Sequence, residues 1–267
     1  KGAGSLLLIS MGTGDTDNMT IRARQAVAEA DIVFTMGART DYYAKLLKGK
    51  TVYDAGHRLF AQGWDKGQPG PKPPKQMLKG KKPKDAGPGN WMRKSPEELA
   101  AQREKTRKII RDAVAAGKHV AIIDNGDPTI FGPHIEYMRE FADLNPEIVP
   151  GISSFNAANA ALQTSMVSGK AMAVTLTVGR LEGRRGKMIA RMIDEGETLV
   201  FFMVRDLNGF VTSLNALVPA DMPVAIVSQA GSRERQRVII GTLGTILETV
   251  DGERVPNYLL YVGSSLK

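Results

Sequence analysis

Short apolar runs alternate with helix-like stretches over the first 150 residues. Runs with the length of buried strands lie at residues 5–11, 31–34, 120–124 and 147–150. Thr20 is placed to cap a helix that reaches Ala30. A capping box, Ser95-Pro96-Glu97-Glu98, starts a second helix, which runs to about Ala116 and ends at Gly117. This alternation predicts a parallel sheet with helices on both faces.

The apolar runs lie closer together after residue 151. Predicted strands cover residues 172–178, 198–204, 224–228, 237–240 and 258–262, with two helical stretches between the first three. This spacing is typical of a second α/β unit with a mixed sheet. We therefore expect two α/β domains, residues 1–151 and 152–267, with a Pro- and Gly-rich basic insert at about 58–94 in the first domain.

Composition narrows the classes of protein that fit. The chain has 267 residues, of which 42% are apolar and 24% charged, as in globular proteins. It has no cysteine, which excludes disulfides, thiolate metal sites and cysteine nucleophiles. No apolar run approaches the roughly 20 residues that span a bilayer, so we expect no membrane insertion. We expect a cytoplasmic protein, and because residue 1 is Lys1, a removed signal peptide stays open.

The net charge of +8 is concentrated in one segment. Between Arg58 and Lys94 lie ten basic and two acidic residues, so this segment carries the whole excess. It also holds six prolines and both tryptophans, Trp64 and Trp91. Such a concentration indicates a local acidic partner. The alternative is a solvated surface loop.

Three loops follow predicted strands and could carry chemistry. Gly12-Thr13-Gly14-Asp15 follows the first strand, but the third glycine of a dinucleotide fingerprint is absent, and a tight turn is the simpler explanation. Asn125-Gly126-Asp127-Pro128 and Val149-Pro-Gly-Ile-Ser-Ser154 follow two further strands. Because the carboxyl ends of parallel strands share one edge, these loops would converge on a ligand crevice. Ser153 or Ser154 could instead cap the next helix.

Read together, these loops resemble the tetrapyrrole methylase family. The family's Gly-x-Gly-Pro-Gly-Asp is similar to residues 10–15, and its Gly-Gly-Asp-Pro-x-x-x-Gly to residues 125–132. Its Val-Pro-Gly-Ile-Ser-Ser is matched at residues 149–154. The second half follows as well, through residues 236–243 and a closing Tyr-Val-Gly263. The order of the motifs is more specific than any one loop.

The resemblance implies a two-domain fold with S-adenosyl-L-methionine bound in the cleft between the domains of a homodimer. It implies cofactor contacts at Thr13, Asn125, Gly126, Asp127, Ile130, Ser153, Ser154, Met203 and Ala230. For Met203, core packing at a strand end is the alternative. Thr13 and Asn125 stand where the family has proline and glycine. These replacements would be tolerated because many of the implied cofactor contacts are made by the backbone.

The implied activity is methylation of an acidic tetrapyrrole such as a precorrin or uroporphyrinogen. If a carbon is methylated, a proton must leave, and His57 is the best placed histidine by order along the chain. A structural histidine is the alternative. His119 and His134 have no partner at ligand spacing, so we expect no bound metal. Two other functions stay open: methylation of RNA or a protein residue, with nucleic acid the less favoured partner, and non-catalytic tetrapyrrole binding. The basic segment would be a lid or arm over the macrocycle.

Overall fold

The chain divides into two compact units in a computed structural model that describes residues 3–36, 42–61, 94–167 and 171–266. The first unit consists of Lys1–Met11 and Met19–Gly151, and the second of Gly12–Asn18 and Ile152–Lys267. The short stretch Gly12–Asn18 therefore belongs with the second half of the chain. Within the described ranges, no helix is long and apolar enough to cross a membrane.

A five-stranded parallel sheet forms the centre of the first unit. Its strands are β1 (Ser5–Ser10), β2 (Ile32–Thr35), β3 (Thr51–Asp54), β4 (His119–Asp124) and β5 (Glu147–Val149), in the order β3-β2-β4-β1-β5. The helices are α1 (Ile21–Glu29), α2 (Ala44–Leu47), α3 (Pro96–Ala115), α4 (Pro128–Phe131) and α5 (Glu136–Glu140). The predicted parallel sheet is confirmed.

Helix caps account for two of these helices. The hydroxyl of Thr20 accepts a hydrogen bond from the backbone of Ala23 at 3.0 Å. Ser95 and Glu98 form both halves of a capping box at the start of α3. Gly117 follows the helix with φ +79°, in the left-handed region. Both predicted helix starts are therefore confirmed.

Apolar side chains cover both faces of this sheet. Leu8 and Ile122 pack with Tyr137 on one face, and Ile9 and Ile123 pack with helix α1 on the other. Alternation along β1 and β4 places Ser10 and Asp124 on the Tyr137 face, at the carboxyl edge. Ser10 and Asp124 are therefore polar residues at the carboxyl end of an otherwise apolar face of the sheet.

Strand β3 was not predicted from the sequence. It is a short edge strand with half-exposed or exposed side chains, so it lacks the apolar run that identifies a buried strand. His57 is the third residue after this strand. Residues 62–93, with Trp64, Trp91 and most of the basic segment, lie outside the described residues, and so does the lid or arm expected there.

The second unit has a mixed sheet, as predicted. Its strands are β6 (Val174–Val178), β7 (Thr198–Phe202), β8 (Pro223–Ser228), β9 (Arg237–Thr242) and β10 (Tyr258–Val262), in the order β6-β7-β10-β8-β9. Only the β6–β7 pair is parallel. The helices are α6 (Ser154–Leu162), α7 (Arg184–Asp194), α8 (Leu207–Asn215) and α9 (Ile246–Val250). Ile189, Phe201, Leu214 and Ile226 belong to its core.

Candidate cofactor and catalytic site

The glycine loop after β1 is a tight turn packed against another backbone segment. Gly12 and Gly14 have φ values of +72° and +70°, which L side chains rarely adopt. A Cβ atom on Gly14 would lie 2.0 Å from the carbonyl carbon of Gly231. The turn that the sequence favoured is therefore present, and close backbone packing explains the glycine.

Side-chain hydrogen bonds fix this loop within the second unit. Asn18 Nδ2 donates to the carbonyl oxygens of Thr13 (2.9 Å) and Gly231 (2.7 Å). The backbone N–H of Asp15 donates to Gly231 O at 2.9 Å. The backbone N–H of Arg233 donates to Asp15 Oδ2 at 2.9 Å, and this bond lowers the pKa of Asp15. Thr13 is thus held in place by its neighbours.

We expect Asn18→Ala to lower the free energy of unfolding by about 1–3 kcal/mol, because it removes the two hydrogen bonds that Asn18 donates to the carbonyl oxygens of Thr13 and Gly231. Urea denaturation measures the change. The control is Asn208→Ala, at an exposed helical position of the same unit, where a change within about 0.5 kcal/mol is expected. Equal midpoints for the two variants would show that Asn18 does not hold the loop.

The loop after β4 combines a left-handed glycine with a helix cap. Gly126 has φ +71° and is buried. Asp127 Oδ1 accepts from the backbone and the hydroxyl of Thr129, at 2.9 and 2.7 Å, and so caps α4, which contains Ile130. Asn125 Oδ1 accepts from Tyr43 Oη at 3.1 Å. The side chains of Asn125 and Asp127 therefore have structural hydrogen bonds within the protein. The backbone at Gly126 remains the candidate contact for a cofactor.

Ser153, not Ser154, caps helix α6. The Ser153 hydroxyl accepts from the backbone N–H of Asn156 at 3.4 Å, and Asn156 Oδ1 accepts from the backbone N–H of Ser153 at 3.2 Å. Ser153 is buried, and Ser154 is half-buried in the first helical position. The capping alternative is therefore correct for Ser153.

Met203 and Ala230 follow strands that end at one edge of the second sheet. β7 and β8 both run antiparallel to β10, which lies between them, so they point the same way. Met203 lies one residue beyond β7, which ends at Phe202, two residues before the end of the predicted strand at residues 198–204. It has φ +55° and its side chain is 59% exposed, so the core-packing alternative for Met203 is wrong. Ala230 is buried after β8.

His57 lies half-buried in the loop after β3, at the carboxyl edge of the first sheet. Burial lowers the pKa of His57; the charges of a protonated His134 and of Arg58 lower it further, and the Asp124 carboxylate opposes them. His57 is thus a neutral imidazole at physiological pH, able to accept a proton.

The sequence analysis did not identify Asp124 and His134, two further residues whose charges act on His57. His134 is 1% exposed and its Nδ1 lies 3.3 Å from Asp124 Oδ2. No local sequence pattern predicts a contact between Asp124, the last residue of β4, and His134, ten positions later. Among the described residues, no group of three His, Cys, Asp or Glu side chains is arranged to hold a metal.

Comparisons with known proteins identify the same family as the order of the loop motifs. The model of the tetrapyrrole (corrin/porphyrin) methylases matches residues 5–247. The chain is 28% identical to a uroporphyrinogen-III C-methyltransferase of Methanocaldococcus jannaschii, with 97% of this chain and 96% of that protein aligned. A cobalt-precorrin-4 C(11)-methyltransferase of the same organism is 24% identical, with 96% and 86% aligned. A sirohaem synthase of Hydrogenovibrio crunogenus is 25% identical, but this chain spans only 50% of its length.

Solved structures have the same fold. A cobalt precorrin-4 methyltransferase of cobalamin biosynthesis superposes with a TM-score of 0.69 at 21% identity, over 98% of this chain and 96% of that one. A uroporphyrin-III C-methyltransferase of Thermus thermophilus, complexed with S-adenosyl homocysteine, gives 0.64 at 21% identity, over 98% and 99%. The resemblance seen in the loops is confirmed: the chain belongs to the tetrapyrrole (corrin/porphyrin) methylase family.

Proposed function

We propose that this protein transfers a methyl group from S-adenosylmethionine to a carbon atom of an acidic tetrapyrrole. The observation that carries the proposal is the end-to-end likeness to a uroporphyrinogen-III C-methyltransferase, because it leaves no large part of either chain unmatched. The cobalt-precorrin-4 relative supports the same reaction class. The concentration of positive charge between Arg58 and Lys94 suits a macrocycle that bears carboxylates.

The proposed cofactor contacts fit a ligand that is bound mainly by backbone. On the first unit, the left-handed Gly126 brings bare backbone to the carboxyl end of β4, beside Asn125, Asp127 and Ile130. On the second unit, Met203 combines a left-handed backbone with an exposed side chain. The remaining proposed contacts of that unit are Thr13, Ser153, Ser154 and Ala230.

The chemistry asks for alignment and for the removal of one proton. S-adenosylmethionine, when bound, supplies a methyl group already activated on a sulfonium sulfur. Holding the reacting carbon against that methyl can contribute roughly 7–11 kcal/mol of the barrier. Loops fixed by hydrogen bonds, such as the one that Asn18 holds, serve this alignment. His57 is the proposed acceptor of the proton that the macrocycle loses when it is methylated.

We expect the acid limb of the pH–rate profile to lie below pH 6.5, because burial lowers the pKa of His57 and so keeps the imidazole neutral at lower pH. His57→Ala should lower kcat by about 10²-fold or more and remove that limb. A His57→Ala enzyme with the rate and pH profile of the wild type would return His57 to a structural role.

Calorimetry with S-adenosylmethionine and with S-adenosylhomocysteine tests cofactor use directly. A transfer assay with methyl-labelled cofactor and either uroporphyrinogen III or cobalt-precorrin-4 then tests the substrate class. We expect both cofactor forms to bind and one macrocycle to acquire label. A folded protein that binds neither form would overturn the proposal.

We also propose the homodimer that the family resemblance implies. Sedimentation equilibrium at micromolar protein should give twice the chain mass of 28.9 kDa. A single species at 28.9 kDa over that range would contradict it.

A further inference from the structure

A cluster of unpaired polar atoms lies at the carboxyl edge of the first sheet. Ser10 Oγ, Asp124 Oδ2, both ring nitrogens of His134 and Glu136 Oε2 are buried and have no hydrogen-bond partner among the described residues. Nearly all buried polar atoms in proteins are paired, because an unpaired one has lost the hydrogen bonds that water would supply. Several such atoms in one place leave donors and acceptors available to a ligand, a water molecule or a proton.

The Asp124–His134 pair is the centre of this cluster. Asp124 Oδ1 accepts from the backbone N–H of Asn125 at 2.9 Å, which leaves Oδ2 turned toward His134 Nδ1 at 3.3 Å. Gly132 gives the carboxylate its room, because a Cβ atom there would lie 2.6 Å from Asp124 Oδ2. The imidazole and the carboxylate are 1% and 6% exposed, so their mutual charge interaction is little screened.

Two contacts connect this pair to the loop that carries His57. The ring of Tyr137 packs edge-on against His134, with centroids 6.0 Å apart. Tyr137 Oη donates to the carbonyl oxygen of Ala55 at 2.5 Å, two residues before His57. The same buried side chain therefore contacts both the His134 ring and the backbone of the loop that carries His57.

Among the described residues, charged groups lie on the elements that flank the loop of His57. They belong to Asp54 of β3, Arg58 of the following loop, Lys94 before α3, Asp124 of β4, and His134 and Glu136 beside α5. Arg58 is 3.6 Å from Glu136, and Lys94 is 3.6 Å from Asp54. Within this set, Asp124 and His134 form the buried pair, with 6% and 1% exposure.

We propose that Asp124 and His134 are positioning residues for the methylation step: while His134 is neutral, the Asp124 carboxylate favours uptake of the substrate proton by His57, and protonation of His134 favours its release. The inference rests on the proposed function. In the reaction the carbon–methyl bond forms as the methyl–sulfur bond breaks, and the sulfur keeps the electron pair. A proton then leaves the macrocycle for His57, and the electron pair of the broken bond restores the π-electron pair that formed the carbon–methyl bond.

Histidine titrations test this coupling on the protein alone. The chain has three histidines, so NMR of protein labelled in the imidazole nitrogens gives three pairs of signals, assigned by single His→Gln variants. Because the Asp124 charge raises the pKa of His57 and the His134 charge lowers it, Asp124→Asn should lower that pKa and His134→Gln should raise it. Each shift should be on the order of half a pH unit. His119, at the other end of β4, should not move in either variant and reports that the fold is intact.

Three results would overturn the inference. They are an unchanged His57 titration in both variants, shifts of the same sign in both, and a wild-type His134 that keeps one protonation state from about pH 5 to 9. The last needs no variant, so a failure of either variant to fold would not rescue the inference.

Kinetics give a second, separate readout. We expect Asp124→Asn and His134→Gln to lower kcat about 10- to 100-fold and to move the acid limb of its pH profile in opposite directions. KM and S-adenosylmethionine affinity should stay at wild-type values, and His119→Gln is the matched control. Loss of cofactor binding by the wild type would refute the proposed function, and the histidine titrations would still measure the coupling between the Asp124–His134 pair and His57. Wild-type kinetics in both variants would refute the inference alone.

Discussion

Replacing Gly14 with alanine is expected to destabilise the protein by about 3 kcal/mol or more. Two costs add. A left-handed φ of +70° costs an L residue about 1–2 kcal/mol, and the new Cβ atom would lie 2.0 Å from the Gly231 carbonyl carbon and 2.2 Å from its oxygen. Both opposing atoms are backbone, so no side-chain rotation relieves the overlap. Urea denaturation of the variant measures the loss.

Gly252 provides the matched control for Gly14. It lies in the same unit with φ +69°, and a Cβ atom there would meet nothing within 4 Å. Gly252→Ala should therefore cost only the backbone term, about 1 kcal/mol. If both variants lose the same stability, the close approach of Gly14 to Gly231 contributes nothing.

Most of the fold could be predicted because local signals and tertiary structure agree. The apolar runs of β1 and β4 are buried on both faces of the sheet, and the caps at Thr20 and Ser95 make the hydrogen bonds that their side chains favour. Strand β3 was missed because an edge strand can have exposed side chains and need not be apolar. The side chains of Thr51–Asp54 are exposed or half-exposed. The grouping of Gly12–Asn18 with the second unit depends on hydrogen bonds to Gly231, more than two hundred residues away.

The candidate site was predictable where it consists of loops at strand ends, and not where it depends on side-chain packing. Gly12, Gly14 and Gly126 are recognisable because a glycine after a strand predicts a left-handed turn, and all three have positive φ. The exposure of Met203 has no such signal, since methionine beside a strand usually packs in a core. The Asp124–His134 pair forms only because β4 and the segment before α5 meet above the Tyr137 layer.

Loss of cofactor binding is the expected result of replacing Gly126 with valine. At φ +71° a β-branched residue is strained, and its side chain would occupy the space through which backbone approaches a ligand. We expect S-adenosylhomocysteine affinity to fall by about 100-fold or more while the protein stays folded, as measured by calorimetry and circular dichroism. Gly49→Val is the control, because Gly49 has φ +80° in the same unit and open space around it. It carries the same backbone strain without touching the proposed contacts, so its affinity should match the wild type. Wild-type affinity in a folded Gly126→Val protein would remove this loop from the cofactor site, since strain and bulk at that position could not both be harmless to a ligand bound through its backbone.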